Sequence, residues 1–170
     1  NLYSEFTNQW SFNLGTSLDF HNIDNTMLWG GPAMKIPGTW NFFFGLGTNN
    51  TKKLHGEISF SQLLGSENYM HSTNYELDLK YRPFDFVSFT LSPEYSDNKT
   101  ELQYINETTY NNEPRYILGT INQKTFSLTA RIDINIKPDL TLQYYGSPFV
   151  SAGDYSEIKK VTEPMADKYF

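Results

Sequence analysis

The stretch FSLTARIDINIKPDLTLQYYG (126–146) changes character at almost every residue. Apolar side chains occupy every second position from Phe126 to Ile136, and polar or charged side chains fill the positions between them. An alternation with a period of two is typical of a strand that has one apolar face. Lys137-Pro138-Asp139 interrupts the pattern with turn-forming residues, after which it resumes. The stretch therefore predicts two antiparallel strands joined by a tight turn.

The same alternation recurs in five earlier segments, at residues 9–20, 39–47, 54–61, 73–82 and 87–95. Across these five segments and the two strands predicted within 126–146, the apolar positions include no charged residue. The opposite positions carry every charge: Asp19, Glu57, Glu76, Asp78, Lys80, Arg82, Glu94, Arg131 and Asp133. No helical periodicity of any length is present, so the sequence predicts an all-β, antiparallel chain.

Composition narrows the class of protein. The 170 residues suffice for one domain, and a mean hydropathy of -0.53 excludes a bundle of membrane helices but not a membrane β-barrel. A net charge of -6 and a pI near 5.0 argue against a nucleic-acid partner. The absence of cysteine excludes disulfides and thiolate metal sites.

The alternation leaves open which face of the sheet meets water. The polar positions hold mainly Ser, Thr, Asn and Gly instead of the long charged side chains of a soluble surface, which favours a crowded interior. Aromatic residues gather near segment ends, as in the aromatic girdles of outer-membrane barrels. The predicted girdle consists of Trp10, Phe20, Trp40, Tyr81, Tyr95 and Tyr144.

The links between segments alternate in length. Three are short (48–53, 83–85 and 137–139), and three are long (21–38, 63–72 and 96–124). A transmembrane barrel has short turns at one rim and long loops at the other. We therefore expect an up-and-down transmembrane β-barrel segment over residues 1–170. It would be partial, with about seven or eight strands, because residues 157–170 do not alternate and predict no closing strand.

The prediction of a membrane barrel assigns the two faces of the sheet. Outward, lipid-facing residues are expected to be Phe12, Leu14, Phe42, Phe44, Leu77, Leu79, Phe89, Leu91, Leu128, Ile132 and Ile134. A lumen-facing charged cluster is expected from Glu76, Asp78, Lys80, Arg82, Arg131 and Asp133. Its simpler interpretation is an ion-pair network that offsets the burial of charge, and its functional interpretation is a selectivity lining or ligand track.

Catalytic and metal-binding patterns are not found. His21, His55 and His71 lack the spacing of a zinc site, and no phosphate-binding or nucleophile motif occurs. No catalytic residue, metal or cofactor is predicted. The aromatic residues Trp29, Tyr104, Tyr110 and Tyr116 would either stack on a surface sugar or pack against one another.

Two stretches carry a resemblance: GGPAMKIPGTWNFFFGLGTNNTKK (30–53) and, most specifically, residues 115–155. They resemble the C-terminal barrel region, domain of unknown function 5916, of Bacteroidota outer-membrane proteins in which a family 9-like carbohydrate-binding domain precedes the barrel. The resemblance implies an outer-membrane location and no established catalytic residues. The sandwich domain and the closing strands of that family are not recognised in this chain.

Three hypotheses follow. The first is a non-enzymatic barrel of the bacterial outer membrane that serves transport, anchoring or a carbohydrate-related surface interaction. Its partners would be outer-membrane lipid, other protein chains of a membrane complex and an unknown ligand. The second is a soluble β-sandwich or lipocalin-like binder with the apolar face inward, and the third is a barrel-embedded hydrolase.

Overall fold

The computed structural model describes residues 1–166, and its regular structure is antiparallel β, as predicted. One short 3-10 turn spans Ser66–Asn68, and no helix among the described residues is long and apolar enough to cross a membrane. The strands are β1 (Leu2–Glu5), β2 (Ser11–Asp19), β3 (Asn22–Asp24), β4 (Met34–Ile36), β5 (Thr39–Gly47), β6 (Leu54–Gly65), β7 (Met70–Phe84), β8 (Val87–Tyr110), β9 (Glu113–Lys137), β10 (Leu140–Gly146) and β11 (Phe149–Lys160).

The strands form one meandering sheet in the order β1-β2-β5-β6-β7-β8-β9-β10, and β11 continues alongside β9 beyond β10. The sheet thus has eight strand positions, and no closed barrel is seen among the described residues. Strands β3 and β4 form a separate two-stranded hairpin within the link between β2 and β5.

Strands β1, β3, β4 and β11 were not among the predicted segments, and the expectation of no strand in residues 157–170 is wrong for Glu157 to Lys160. Strand β1 was not predicted, because four residues are too few to display a period. A bulge between Ser156 and Lys159 shifts the register there and hides the alternation. The remaining residues of that prediction, 167–170, lie outside the described part of the chain.

The predicted alternation of short turns and long loops is only partly correct. The short links all lie at one end of the sheet, here called the short-turn end, together with the turn at 6–10. At the opposite end, here called the loop end, only the link through 21–38 is long. The link at 63–72 is mostly strand. Residues 96–124 extend β8 and β9 as a hairpin closed by Asn111 and Asn112, whose φ values of 51° and 66° are those of a type I′ turn.

Buried apolar side chains among the described residues gather at the loop end. They form one small group, the loop-end cluster: Leu28, Met34, Tyr69, Leu102 and Leu118. Asp24 supports the link that supplies Leu28, since its carboxylate accepts hydrogen bonds from the backbone N–H groups of Thr26 (2.7 Å) and Met27 (3.1 Å). The hydrogen bond from the Thr26 hydroxyl, together with these two backbone bonds, holds the pKa of Asp24 below its ordinary value.

Candidate functional site: the two faces of the sheet

Register determines which side chains share a face, because residues paired directly across strands point the same way. We call such a set of paired residues a row. One row runs Phe44, Phe60, Tyr75, Tyr95 and Phe126 from β5 to β9. Continuing this reasoning along each strand places all eleven predicted lipid-facing residues on one face, here called the apolar face. Their contact with lipid stays a prediction.

None of the eleven predicted lipid-facing residues belongs to the loop-end cluster, and several large ones are open to the surroundings. Leu79, Leu91 and Phe89 expose 36%, 41% and 41% of their surface. These fractions far exceed those of a packed protein core.

The row from Phe44 to Phe126 is aromatic at every position. Ring centroids lie 5.2 Å apart for Phe60 and Tyr75 and 6.5 Å for Tyr75 and Tyr95, and Phe42, a diagonal neighbour of the row, lies 6.2 Å from Phe60. Phe126 pairs with Tyr95 on the next strand. Such contacts between aromatic neighbours stabilise adjacent strands.

The predicted girdle residues divide between the two ends. Trp40 lies beside Phe42 (6.5 Å) and Tyr95 lies in the aromatic row, whereas Tyr81 and Tyr144 lie towards the short-turn end. Trp10 and Phe20 are in connections, not in strands. Phe60 and Phe126 were not predicted as girdle residues, because only the cross-strand register brings them into line with Tyr95.

The apolar band crosses the rows obliquely. Towards the loop end it stops at Leu18 on β2, but on β9 it stops at Phe126, which shares a row with Leu14. Charged residues follow on β8 and β9, and one ion pair joins Lys124 to Asp97 at 3.7 Å. The limit at the short-turn end moves the same way, from Phe12 on β2 to Ile136 on β9.

The six residues of the predicted charged cluster share the opposite face, here called the polar face, but lie at different heights. Glu76 and Asp78 are at mid-height, where they accept hydrogen bonds from Ser59 (3.3 Å) and Ser92. The other four lie towards the short-turn end: Lys80, Arg82, Arg131 and Asp133.

In the described part of the chain the predicted ion-pair network is not formed. Within residues 1–166, none of the six side chains lies within 4 Å of an opposite charge. Asp133 accepts from Gln143 (2.9 Å) and Ser88 (3.3 Å), while the Arg131 guanidinium lies 5.5 Å from the ring centre of Tyr145. Hydroxyls, amides and an aromatic ring thus take the place of counter-charges.

Carboxylates face each other across the strands at mid-height. Glu76 pairs directly with Glu94, and Glu57 pairs with Asp78 in the row towards the short-turn end. Like charges in directly opposite positions destabilise a sheet. Glu57 and Glu94 were not included in the predicted cluster, although both lie on its parity, because only the register brings them next to Glu76 and Asp78.

At the loop end, the aromatic residues contact neighbouring protein groups. Trp29 stacks on Tyr104 with centroids 6.3 Å apart, and the Arg115 guanidinium lies 4.0 Å from the Tyr110 ring centre. The Tyr116 ring lies so close to Gly31 that a Cβ there would be 2.6 Å from it. These contacts agree with mutual packing, the simpler of the two interpretations.

The described residues contain no group of three or more His, Asp or Glu side chains that could hold a metal ion. His71 and Ser72 are consecutive strand residues and point to opposite faces, and the Ser72 hydroxyl donates to Asn98 Oδ1.

Fold and faces together define an all-β protein built on one amphipathic antiparallel sheet. The chain belongs to the family described as Domain of unknown function (DUF5916), whose sequence model matches residues 2–164. The resemblance to this family is thereby confirmed. No curated protein and no solved structure matches the chain.

Proposed function

We propose that this chain is a non-enzymatic β-barrel segment of the bacterial outer membrane. Its apolar face would contact lipid and its polar face would line a hydrated interior through which a solute passes. Every backbone group in hydrocarbon needs a hydrogen-bond partner, so further pairing of the outer strands belongs to this proposal.

The oblique apolar band is the observation that carries the proposal. From β2 to β9 there are five strand spacings of about 4.8 Å, so the band crosses about 24 Å of sheet. On β9 the loop-end limit of the band lies four residues beyond the row of Leu18, and the short-turn limit lies eight residues beyond the row of Phe12. These offsets correspond to about 13 and 26 Å at ~3.3 Å per residue. The corresponding inclination of roughly 30–45° is close to the tilt of strands in membrane barrels.

Strands are tilted in soluble barrels too, but there the apolar side chains point into a packed interior. Here Leu79, Leu91 and Phe89 stay exposed, which suits tilted strands that pass through the flat hydrocarbon slab of a bilayer. The mixed composition of the polar face also supports a hydrated interior. There, carboxylates bonded to hydroxyls remain accessible to a passing solute.

Depth measurement tests the proposal directly. Leu18 and Lys99 lie in one row, which runs through Trp40, Leu64 and His71. Because the chain has no cysteine, single spin labels can be placed at 18 and 99 without background. In lipid vesicles we expect oxygen, which concentrates in hydrocarbon, to relax the label at 18, and a water-soluble nickel complex to relax the label at 99.

Equal water accessibility at both positions would contradict the proposal, and so would extraction of the protein without detergent. Ser17, the neighbour of Leu18 on the polar face, provides a matched control. A label at 17 should be shielded from lipid although it lies at almost the same height. The non-enzymatic part is tested with a fluorophosphonate probe, which we expect to label no serine.

A further inference from the structure

An open cavity of about 820 Å³ lies at the short-turn end, on the polar side of the sheet. Its lining comes from the link between β5 and β6 and from the ends of the strands beside it: Asn50, Thr51, Lys52, Lys53, His55, Lys80, Arg82 and Asp85. His55 pairs with Lys80 across β6 and β7, so both point away from the apolar face. The cavity therefore opens towards the proposed interior and not towards lipid.

Positive charge is concentrated in this cavity. Four of the 13 Lys and Arg residues of an acidic chain line it, with Asp85 as the single carboxylate. None of the four is in an ion pair among the described residues. Bringing four unneutralised cations together costs electrostatic energy that a bound anion would recover.

Two of the cations are held in place by the backbone. The Lys53 ammonium donates to the carbonyl of Pro83 (3.0 Å), and the Arg82 guanidinium donates to the carbonyl of Asn50. Carbonyl groups orient these cations but leave their charge uncompensated. Lys52 and Lys80 make no side-chain hydrogen bond to the described residues, so their ammonium groups are free to bind a ligand.

We propose that this cavity binds a small, multiply charged anion bearing phosphate or carboxylate groups. Lys52, Lys80 and Arg82 would supply the charge, and the side-chain amide of Asn50 would supply a neutral donor. The volume lies within the usual range for small-molecule sites. A guanidinium and two ammonium groups fit several anionic oxygens better than a single monovalent ion.

The binding site does not depend on the membrane proposal, so the two can fail separately. The test is titration of the full chain in detergent with inorganic pyrophosphate and, separately, citrate, followed by calorimetry. We expect Lys80→Gln with Arg82→Gln to raise the Kd roughly tenfold or more. The matched control, Lys99→Gln with Lys124→Gln, removes the same charge at the other end and should change the Kd by less than about twofold.

Asp85→Asn makes the test independent of any loss of structure. Removing the one carboxylate of the lining should tighten binding several-fold, which a purely structural role would not produce. Lys52→Gln, at a side chain without a partner, is the milder variant if the double substitution prevents folding. Absence of pyrophosphate and citrate binding in the unaltered chain, or equal losses in both double variants, would overturn the proposal.

Discussion

The loop-end cluster and the apolar face are built from the same kinds of residue but in opposite ways. Leu28 and Leu118 are 1% and 3% exposed, because the long link folds back over the extended β8-β9 hairpin. Leu79 and Leu91, on the sheet, keep more than a third of their surface open. One region makes its own dry interior, and the described residues leave the other open.

Truncation of a leucine should separate the two regions most strongly. Leu28→Ala leaves a cavity that the tight cluster cannot close, and we expect a loss of about 2–5 kcal/mol in local stability. Leu79→Ala should cost much less in a bilayer, since lipid chains fill the space. Denaturation monitored through Trp29 and Trp40 separately, each with the other two tryptophans changed to Phe, measures both. Equal costs would mean that Leu79 also faces packed protein.

A charge placed on either face at the same height sharpens the contrast. Leu91→Arg puts a guanidinium in the middle of the apolar band, where a cost of about 2–4 kcal/mol is expected in a bilayer. Ser92→Arg points to the other face, beside Asp78, and should cost less than about 1 kcal/mol. Urea unfolding in vesicles gives both values. A larger cost for Ser92→Arg would reverse the assignment of the faces.

The turn at Asn111 and Asn112 tests whether the extended hairpin is preorganised. Asn112 has a φ of 66°, so Asn112→Val should destabilise the hairpin by about 1–2 kcal/mol. Asn112→Gly should leave it unchanged or slightly more stable, because Asn-Gly suits this turn. Amide exchange along β8 and β9 beyond Thr100 reports the effect. An unaffected hairpin in the valine variant would show that side-chain packing, not the turn, holds it.

The smallest effect is expected at Asp24. Its lowered pKa means that its bonds to Thr26 and Met27 form fully above the ordinary value of 3.8 and are lost as pH falls through the lowered value. The amide proton shifts of both residues should follow that titration. Asp24→Asn should keep the turn but remove its pH dependence, whereas Asp24→Ala should abolish the turn itself. A pH response that persists in the Asn variant would point to another group.

Much of the sheet could be predicted from alternation alone, but its extension could not. On β8 the charged residues Asp97 and Lys99 continue the apolar parity beyond Tyr95, and register shifts after Thr100 and Tyr104 break the period. The strand therefore resembles a polar loop in sequence. The same cause hides the end of β11, where the backbone at Glu157 has a φ of 49°.

The candidate sites were predictable in composition but not in arrangement. Parity alone grouped Glu76 with Lys80, whereas the register separates a mid-height set of facing carboxylates from a basic cavity. Lys52 and Lys53 belong to that cavity but lie in a turn, where no parity exists. Distances between strands depend on pairing, which a single sequence does not specify.

The directions of the two outermost strands impose an arithmetic constraint. Strand direction alternates across the eight positions of the sheet. Strand β1 therefore runs towards the short-turn end, while β10 and β11 run away from it. A ring that stays antiparallel throughout can therefore be completed by none, two, four or any other even number of added strands. An odd number would force two neighbours to run in parallel.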